Sequence, residues 1–137
     1  LIKPSKIYMG EKDFQQLHLV KKYVEKKYKT SIISCKTIRD KNGLALSSRN
    51  LFLSKKELQL ASNLTRNLIF FKKRLIKKKN IKNLLFNKKK SLNKFYNIKI
   101  EYLELRNKIN LKKTSTLKNS KIFIAYFLNK IRLIDNF

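Results

Sequence analysis

Phe14, Leu17, Val20, Val24 and Tyr28 recur every three or four residues with Lys and Glu between them, which predicts an amphipathic helix over Asp13 to Tyr28. Just before it, the short apolar run Ile7-Tyr8-Met9 ends at Gly10 and reads as a strand turning into that helix. Thr30 to Cys35 is β-branched and apolar and reads as a short buried strand. Lys36 to Asn50 has no sustained period, contains Gly43, and reads as an ordered loop. Ser54-Lys55-Lys56-Glu57 is a capping box. The helix it opens carries Leu58, Ala61, Leu64, Leu68, Phe71 and Leu75 on one side. A break near Lys79-Asn80 separates it from another helix over Ile81 to Phe95. Ile98 to Leu105 alternates, with Ile98, Ile100, Tyr102 and Glu104 on one side and Lys99, Glu101, Leu103 and Leu105 on the other. Asn107 to Asn119 is a polar connection. Lys121 to Leu128 and Lys130 to Ile134 flank Asn129-Lys130, and Asn tolerates the positive φ of a tight hairpin.

The order is strand, helix, strand, loop, helices, then three antiparallel strands. The fold class is therefore α/β. The first part reads as the end of an α/β unit and the second as a small α+β domain with helices and a three-stranded antiparallel sheet.

Composition narrows the chemistry. The chain has 137 residues, is 42% hydrophobic and 11% aromatic, and so can bury a core. Its single Cys excludes an internal disulfide framework, and its single His excludes an internal His pair. No apolar run approaches the ~20 residues of a membrane span, and Leu1-Ile2-Lys3-Pro4 lacks both Met and a signal-peptide layout. We expect a cytoplasmic protein with no membrane partner, present here as a fragment. Lys+Arg is 35 against Asp+Glu 8, a formal charge of +27. That balance points to a nucleic-acid partner. However, the surplus is nearly all Lys, with Arg at only six positions, and Arg is the residue suited to bidentate phosphate or base contacts. Abundant Lys, Ile and Asn are also what an A+T-biased coding sequence would produce. A basic nucleic-acid-binding protein stays as the alternative. It would gain if the lysines interleaved with exposed aromatics in one stripe.

Two stretches stand out from the Lys-rich background. In Gly10-Glu11-Lys12-Asp13-Phe14-Gln15-Gln16, Gly10 permits close backbone approach at a strand's carboxyl end, where α/β sheets take ligands. With a helix starting at about Glu11 or Lys12, free N–H groups face the same place. Lys12 suits a phosphate, Asp13 suits ribose hydroxyls, and Gln16, one turn past Lys12, donates and accepts. Equally, Glu11 and Asp13 could only complement the helix dipole. In Gly43-Leu44-Ala45-Leu46-Ser47-Ser48-Arg49-Asn50, two hydroxyls and a guanidinium form a phosphate clamp, or else a turn followed by an N-cap.

Taken together, Gly10 to Gln16, Thr37-Ile38-Arg39-Asp40-Lys41-Asn42-Gly43-Leu44-Ala45-Leu46-Ser47-Ser48-Arg49-Asn50, Glu101-Tyr102-Leu103-Glu104 and Ile131-Arg132-Leu133-Ile134-Asp135-Asn136 strongly resemble the pantothenate synthetase (pantoate–β-alanine ligase) family of the nucleotidyltransferase superfamily. Only Phe70 to Lys94 lacks a signature. The resemblance implies a Rossmann-like nucleotide-binding domain, of which residues 1–36 would be the last part, and a lid domain over 37–137. It implies ATP and Mg²⁺ as cofactors, pantoate and β-alanine as substrates, a pantoyl-adenylate intermediate, and AMP and pyrophosphate as products. Gly10 and Asp13 would contact the ribose, Lys12 the phosphates, and Gln16 the pantoate. The backbone at Ile38 would receive adenine with Leu46 packing nearby, and Ser47, Ser48 and Arg49 would hold phosphates. No residue is assigned to a metal.

Several positions depart from the family pattern: Met9 for an aromatic, Lys36 for Pro, Asp40 for Glu, Asn42 for Asp and Asn129 for Gly. The family's nucleotide-binding His pair and second pantoate Gln lie in an N-terminal half not in this sequence. His18, in mid-helix, does not replace them. The isolated chain is therefore expected to be inactive, the full enzyme is expected to be a homodimer, and a decayed pseudo-enzyme is a third reading. Arg132 and Asp135 are expected to be structural, as an ion pair or hairpin lock, and Cys35 to be a small buried hydrophobe.

Overall fold

Residues 2–76 and 78–137 are described in the computed structural model. The chain divides into two units, Leu1–Ile38 and Arg39–Phe137, each described by itself.

In the first unit, β1 (Lys6–Gly10) leads through a 3₁₀ turn (Glu11–Asp13) into α1 (Phe14–Lys27), and β2 (Ser31–Cys35) returns parallel to β1. The register runs from Lys6 opposite Ser31 to Gly10 opposite Cys35. A parallel pair needs such a crossover, and the helix supplies it. Ser31 N–H donates to the Ser5 carbonyl at 2.9 Å and Thr30 Oγ1 to the Pro4 carbonyl at 2.8 Å. Ile32 N–H donates to Glu25 Oε1 at 3.0 Å, tying helix to strand.

Three expectations are corrected in this unit. The α-helix does not begin at Glu11 or Lys12. Those residues form the 3₁₀ turn, because Asp13 sits at φ −95°, ψ 53°, outside the helical well. The strand over Thr30 to Cys35 is not buried throughout. Only Ile32 is, because β2 pairs on one edge alone and its Ser and Cys positions stay exposed. Cys35, at that strand's end, is exposed.

In the second unit, the chain runs through the loop at 39–47 and a 3₁₀ turn (Ser48–Phe52) to α2 (Lys55–Leu75) and α3 (Ile81–Tyr96). It ends in the antiparallel sheet of β3 (Lys99–Asn107), β4 (Ser120–Leu128) and β5 (Ile131–Asn136), in that order. The capping box is complete. Glu57 N–H donates to Ser54 Oγ at 3.3 Å, and Ser54 N–H donates to Glu57 Oε2 at 2.8 Å. The Ser54 hydroxyl also donates to Glu57 Oε2 at 2.7 Å, and with the Ser54 N–H it holds the Glu57 carboxyl below its usual range. Asn80 and Asn97, at φ 59° and 49°, bracket α3, and Asn129, at φ 50°, makes the hairpin turn. Its Nδ2 donates to Glu57 Oε1 at 2.6 Å, joining hairpin tip to helix start.

The core lies between the helices and one face of the sheet. Ala61, Leu64, Leu68 and Leu75 of α2 meet Leu85 and Leu92 of α3 and Ile100, Leu103, Leu105, Ile122 and Ile124 of the strands. Each fully buried leucine contributes about 1.5–3 kcal/mol by removal from water. The central strand β4 is buried from Ile122 to Tyr126, as a continuous apolar run requires.

The alternation of β3 is corrected. Ile100 faces Tyr126, Tyr102 faces Ala125, and Glu101 is an extra residue between them. This bulge shifts the phase by one. Ile100, Leu103 and Leu105 are all buried, whereas strict alternation would oppose Ile100 to the two leucines. Arg132 and Asp135 do form ion pairs, but not with each other. Arg132 Nε meets Glu101 Oε2 at 2.7 Å, and Asp135 is held by Arg39.

Candidate functional site

Gly10 closes β1 at φ −72°, ψ 136°, an extended conformation open to any residue. A Cβ built there would meet nothing within 4 Å. Neither backbone nor neighbours therefore demand glycine at this strand end. Immediately beyond, Glu11 is engaged by the Ser34 hydroxyl at 2.8 Å, and Lys12 is half-buried. Asp13 and Gln16 are exposed, three residues apart on the turn into α1, and Asp13 makes no side-chain cap to the helix. Asp13 thus does not cap the helix, although its charge at the helix start still complements the dipole. Gly10, Lys12, Asp13 and Gln16 are brought together by the strand end and the turn that follows. His18 is half-buried within α1.

The second stretch is built differently. Arg39 and Ala45 form an isolated antiparallel bridge, and Asp40 N–H donates to the Leu44 carbonyl at 2.9 Å. Asp40 Oδ1 accepts from Asn42 N–H at 2.8 Å and Leu44 N–H at 2.9 Å. The carboxylate thereby satisfies two loop donors, the usual work of an Asx turn. Gly43, at φ +86°, does require glycine. Leu44 and Ala45 are buried, and Asn50 Nδ2 donates to the Ala45 carbonyl at 3.1 Å. After this anchored base the chain turns outward. Leu46 is exposed, half-buried Ser47 caps the 3₁₀ turn by accepting from Arg49 N–H at 3.3 Å, and Ser48 and Arg49 are exposed. The N-cap reading of Ser47 is thus realised, and it leaves the Ser48 hydroxyl and the Arg49 guanidinium outside the cap. Ile38, 71% exposed, is the last residue of the first unit.

Among the described residues, no hydrogen bond or ion pair engages the side chains of Asp13, Gln16, Ser48 or Arg49, whereas neighbouring Glu11, Asp40 and Asn50 are all committed. A groove of about 620 Å³ at Glu57, Tyr96 and Asn129, and one of about 560 Å³ at Phe86, Leu103 and Lys113, are lined by other residues of the second unit.

The sequence assigns no role to Arg39, yet its guanidinium is the most heavily bonded cation of the loop. Besides the Gly43 carbonyl, its partners lie 96 and 97 residues away, beyond the reach of any local spacing.

The sequence model of the family described as Pantoate-beta-alanine ligase matches residues 1–137. The pantothenate synthetase of Clostridium botulinum (strain ATCC 19397 / Type A) is 40% identical over 140 residues, covering 100% of this chain and 50% of that relative. That of Francisella philomiragia is 34% identical over 142 residues, covering 100% of this chain and 44% of its own length. The crystal structure of pantothenate synthetase from Thermus thermophilus matches with TM-score 0.88 at 28% identity, over 99% of this chain and 50% of that one. The Francisella tularensis pantoate-beta-alanine ligase, complexed with beta-gamma ATP and beta-alanine, matches with TM-score 0.70 at 32% identity, over 98% and 44%. The chain spans about half the length of the curated relatives it matches. Since the family model spans residues 1–137 and the solved relatives share the fold, the chain belongs to the pantoate-beta-alanine ligase family.

Proposed function

We propose that this chain forms the later half of an ATP-dependent ligase that condenses pantoate with β-alanine through a pantoyl adenylate. Residues 1–36 would complete the nucleotide-binding domain and 37–137 would form the lid. The pantoate carboxylate attacks the α-phosphorus, and pyrophosphate leaves with the bonding electron pair. The β-alanine amine then attacks the activated carbonyl, loses a proton, and AMP departs. Such chemistry depends on positioning and charge neutralisation. Gly10 and Asp13 take the ribose, Lys12 the phosphates, Gln16 the pantoate, and the Ile38 backbone and Leu46 the adenine. Ser47, Ser48 and Arg49 take the phosphates, with the guanidinium as a two-pronged donor.

The observation that carries it is selective commitment. The side chains of Asp13, Gln16, Ser48 and Arg49, proposed to face ligands, are uncommitted, and that of Gly10 is absent without local cause, while their neighbours are bonded. Among the described residues no group of three or more His, Cys, Asp or Glu side chains could hold a metal. Mg²⁺ is therefore proposed to arrive on the triphosphate, whose oxygens suit a small hard cation. No helix among the described residues is long and apolar enough to cross a membrane. Use of ATP suits a cytoplasmic enzyme, and homodimerisation is proposed on the resemblance alone.

The test is pantoate-dependent exchange of pyrophosphate with ATP by the enzyme that carries this chain. Lys12→Ala should lower the rate by about 2–4 kcal/mol of transition-state stabilisation, roughly 30- to 1,000-fold. Wild-type adenylation by that variant would remove Lys12 from the mechanism. The isolated 137-residue chain should make no pantothenate, and turnover by it would refute the dependence on a further segment.

A second reading, nucleic-acid binding, has its own support. Phe70 and Phe86 are exposed, with Lys73 Nζ 5.9 Å and Lys90 Nζ 4.5 Å from their ring centroids. Such binding would weaken steeply with salt in a gel-shift titration, and an absence of any shift at low salt would eliminate it.

A further inference from the structure

Arg39 stands where the loop bearing Ser47, Ser48 and Arg49 leaves its base, and its side chain joins that base to the end of the chain. Nη1 donates to the Gly43 carbonyl at 3.0 Å and to Asp135 Oδ2 at 2.7 Å. Nη2 donates to Asp135 Oδ1 at 2.9 Å and to the Asn136 carbonyl at 3.0 Å. The guanidinium carbon lies 5.1 Å from the Phe137 ring centroid. One planar group thus fastens the tip of the 39–45 hairpin, the carboxylate of β5 and the backbone beyond it, with an aromatic ring against its face. Asp135 is itself buried, and its Oδ1 also accepts Asn136 N–H at 2.7 Å. The strand so gripped packs against the 3₁₀ turn that carries Ser48 and Arg49.

Helix capping or solubility does not account for this arrangement. An exposed pair would leave the hairpin's angle free, whereas a fork bound on both prongs fixes the plane of the guanidinium and the carbonyl of Gly43 with it. Asp40 and Gly43 set the hairpin's internal shape. Arg39 sets its attitude to the sheet. Four residues beyond Gly43, the chain presents the first of the proposed phosphate ligands.

We propose that Arg39, oriented by Asp135, is a positioning residue for adenylation: it holds the 43–49 loop at the angle from which Ser47, Ser48 and Arg49 meet the transferring phosphate. This role rests on the ligase reading above. Arg39 touches no ligand itself, so its signature is a fall in kcat with a smaller change in nucleotide affinity. A displacement of about 1 Å in such a loop costs up to about 100-fold in rate.

The experiment compares three variants of the enzyme that carries this chain: Arg39→Lys, Asp135→Asn, and Arg39→Met combined with Asp135→Leu. The readouts are kcat and KM for ATP in pantoate-dependent pyrophosphate exchange, with Tm alongside. Arg39→Lys keeps the charge and loses the fork, and should lose about 10- to 100-fold in kcat with a smaller change in KM. The apolar pair removes the buried charges together, so Tm should recover towards the native value while kcat stays low. Recovery of kcat along with Tm would show a merely structural brace and overturn the inference, as would native kcat in Arg39→Lys. Asp135→Asn, the mildest change, decides the matter if the other two fail to fold: slow exchange supports positioning and native exchange refutes it. No exchange by the wild-type enzyme would instead overturn the ligase reading, and this inference with it.

Discussion

The two units of this chain solve the burial problem unequally. Among the described residues of the first, only Leu17 and Ile32 are buried, and Tyr8, Leu19, Tyr23 and Tyr28 are exposed. The second closes α2, α3 and three strands on a continuous apolar core and satisfies α2's first turn with a complete capping box. A two-stranded parallel pair with one helix is too small to exclude water from its own apolar groups. An antiparallel sheet backed by two helices is not. The unit proposed to offer the ribose and pantoate contacts is therefore the one that buries little by itself. The unit proposed to offer the phosphate loop carries its own core.

The most severe way to break this contrast is to separate the units. A peptide of residues 39–137 should fold cooperatively by far-UV circular dichroism and urea titration, and residues 1–38 alone should give the spectrum of an unfolded chain. A folded 1–38 peptide would end the comparison. Next in size are matched truncations. Leu68→Ala, at a position 1% exposed, should cost about 2–5 kcal/mol in chemical denaturation. Leu19→Ala, 62% exposed, should stay within about 0.5 kcal/mol. Equal costs would mean that Leu19 is covered in the working enzyme.

The helix starts sharpen the same contrast. Ser54→Ala should cost about 1 kcal/mol by urea titration, because the cap to Glu57 N–H is lost. Asp13→Ala should leave stability almost unchanged, since its side chain caps nothing, while weakening nucleotide use.

The smallest effect is one of pH. Burial opposes ionisation of Glu104, but hydrogen bonds from Lys113 and Arg106 win and hold its carboxyl below the ordinary range. A carboxyl lowered in the folded state stabilises above its unfolded pKa of about 4.3 and loses that contribution as pH falls through the folded value. The gap in urea midpoint between the wild type and Glu104→Gln should accordingly narrow on acidification from neutrality to pH values below that point. A gap that widens would refute the assignment.

Local signals in the sequence were legible where local physics decides. Ser54 and Glu57 announced α2, Asn129 the hairpin, and the spacing of Leu64 and Leu68 their burial. Misreadings arose where the outcome depends on distant chain. Cys35 and its strand looked buried because β-branched runs usually are, but nothing in the first unit covers them. Glu101 looked like a member of an alternating strand because a bulge leaves no mark on composition. Arg39 carried no local signal, since its meaning lies in a carboxylate 96 residues on. Of the candidate site, residue chemistry could be read from spacing. The distinction between a glycine needed for its φ, at Gly43, and one without local cause, at Gly10, required coordinates.

The extra residue in β3 has a consequence for how this strand can vary. Because Glu101 acts as a phase shifter, replacing it by another polar residue forfeits only a solvent-facing tie to Arg132. Deleting it closes the bulge and restores simple two-residue periodicity, with Ile100, Leu103 and Leu105 still on the core face opposite Tyr126, Ile124 and Ile122. Removing Glu104 instead would make Leu103 and Leu105 adjacent and send one of them to the solvent face, so the strand can spare a residue at its bulge and not two positions past Tyr102.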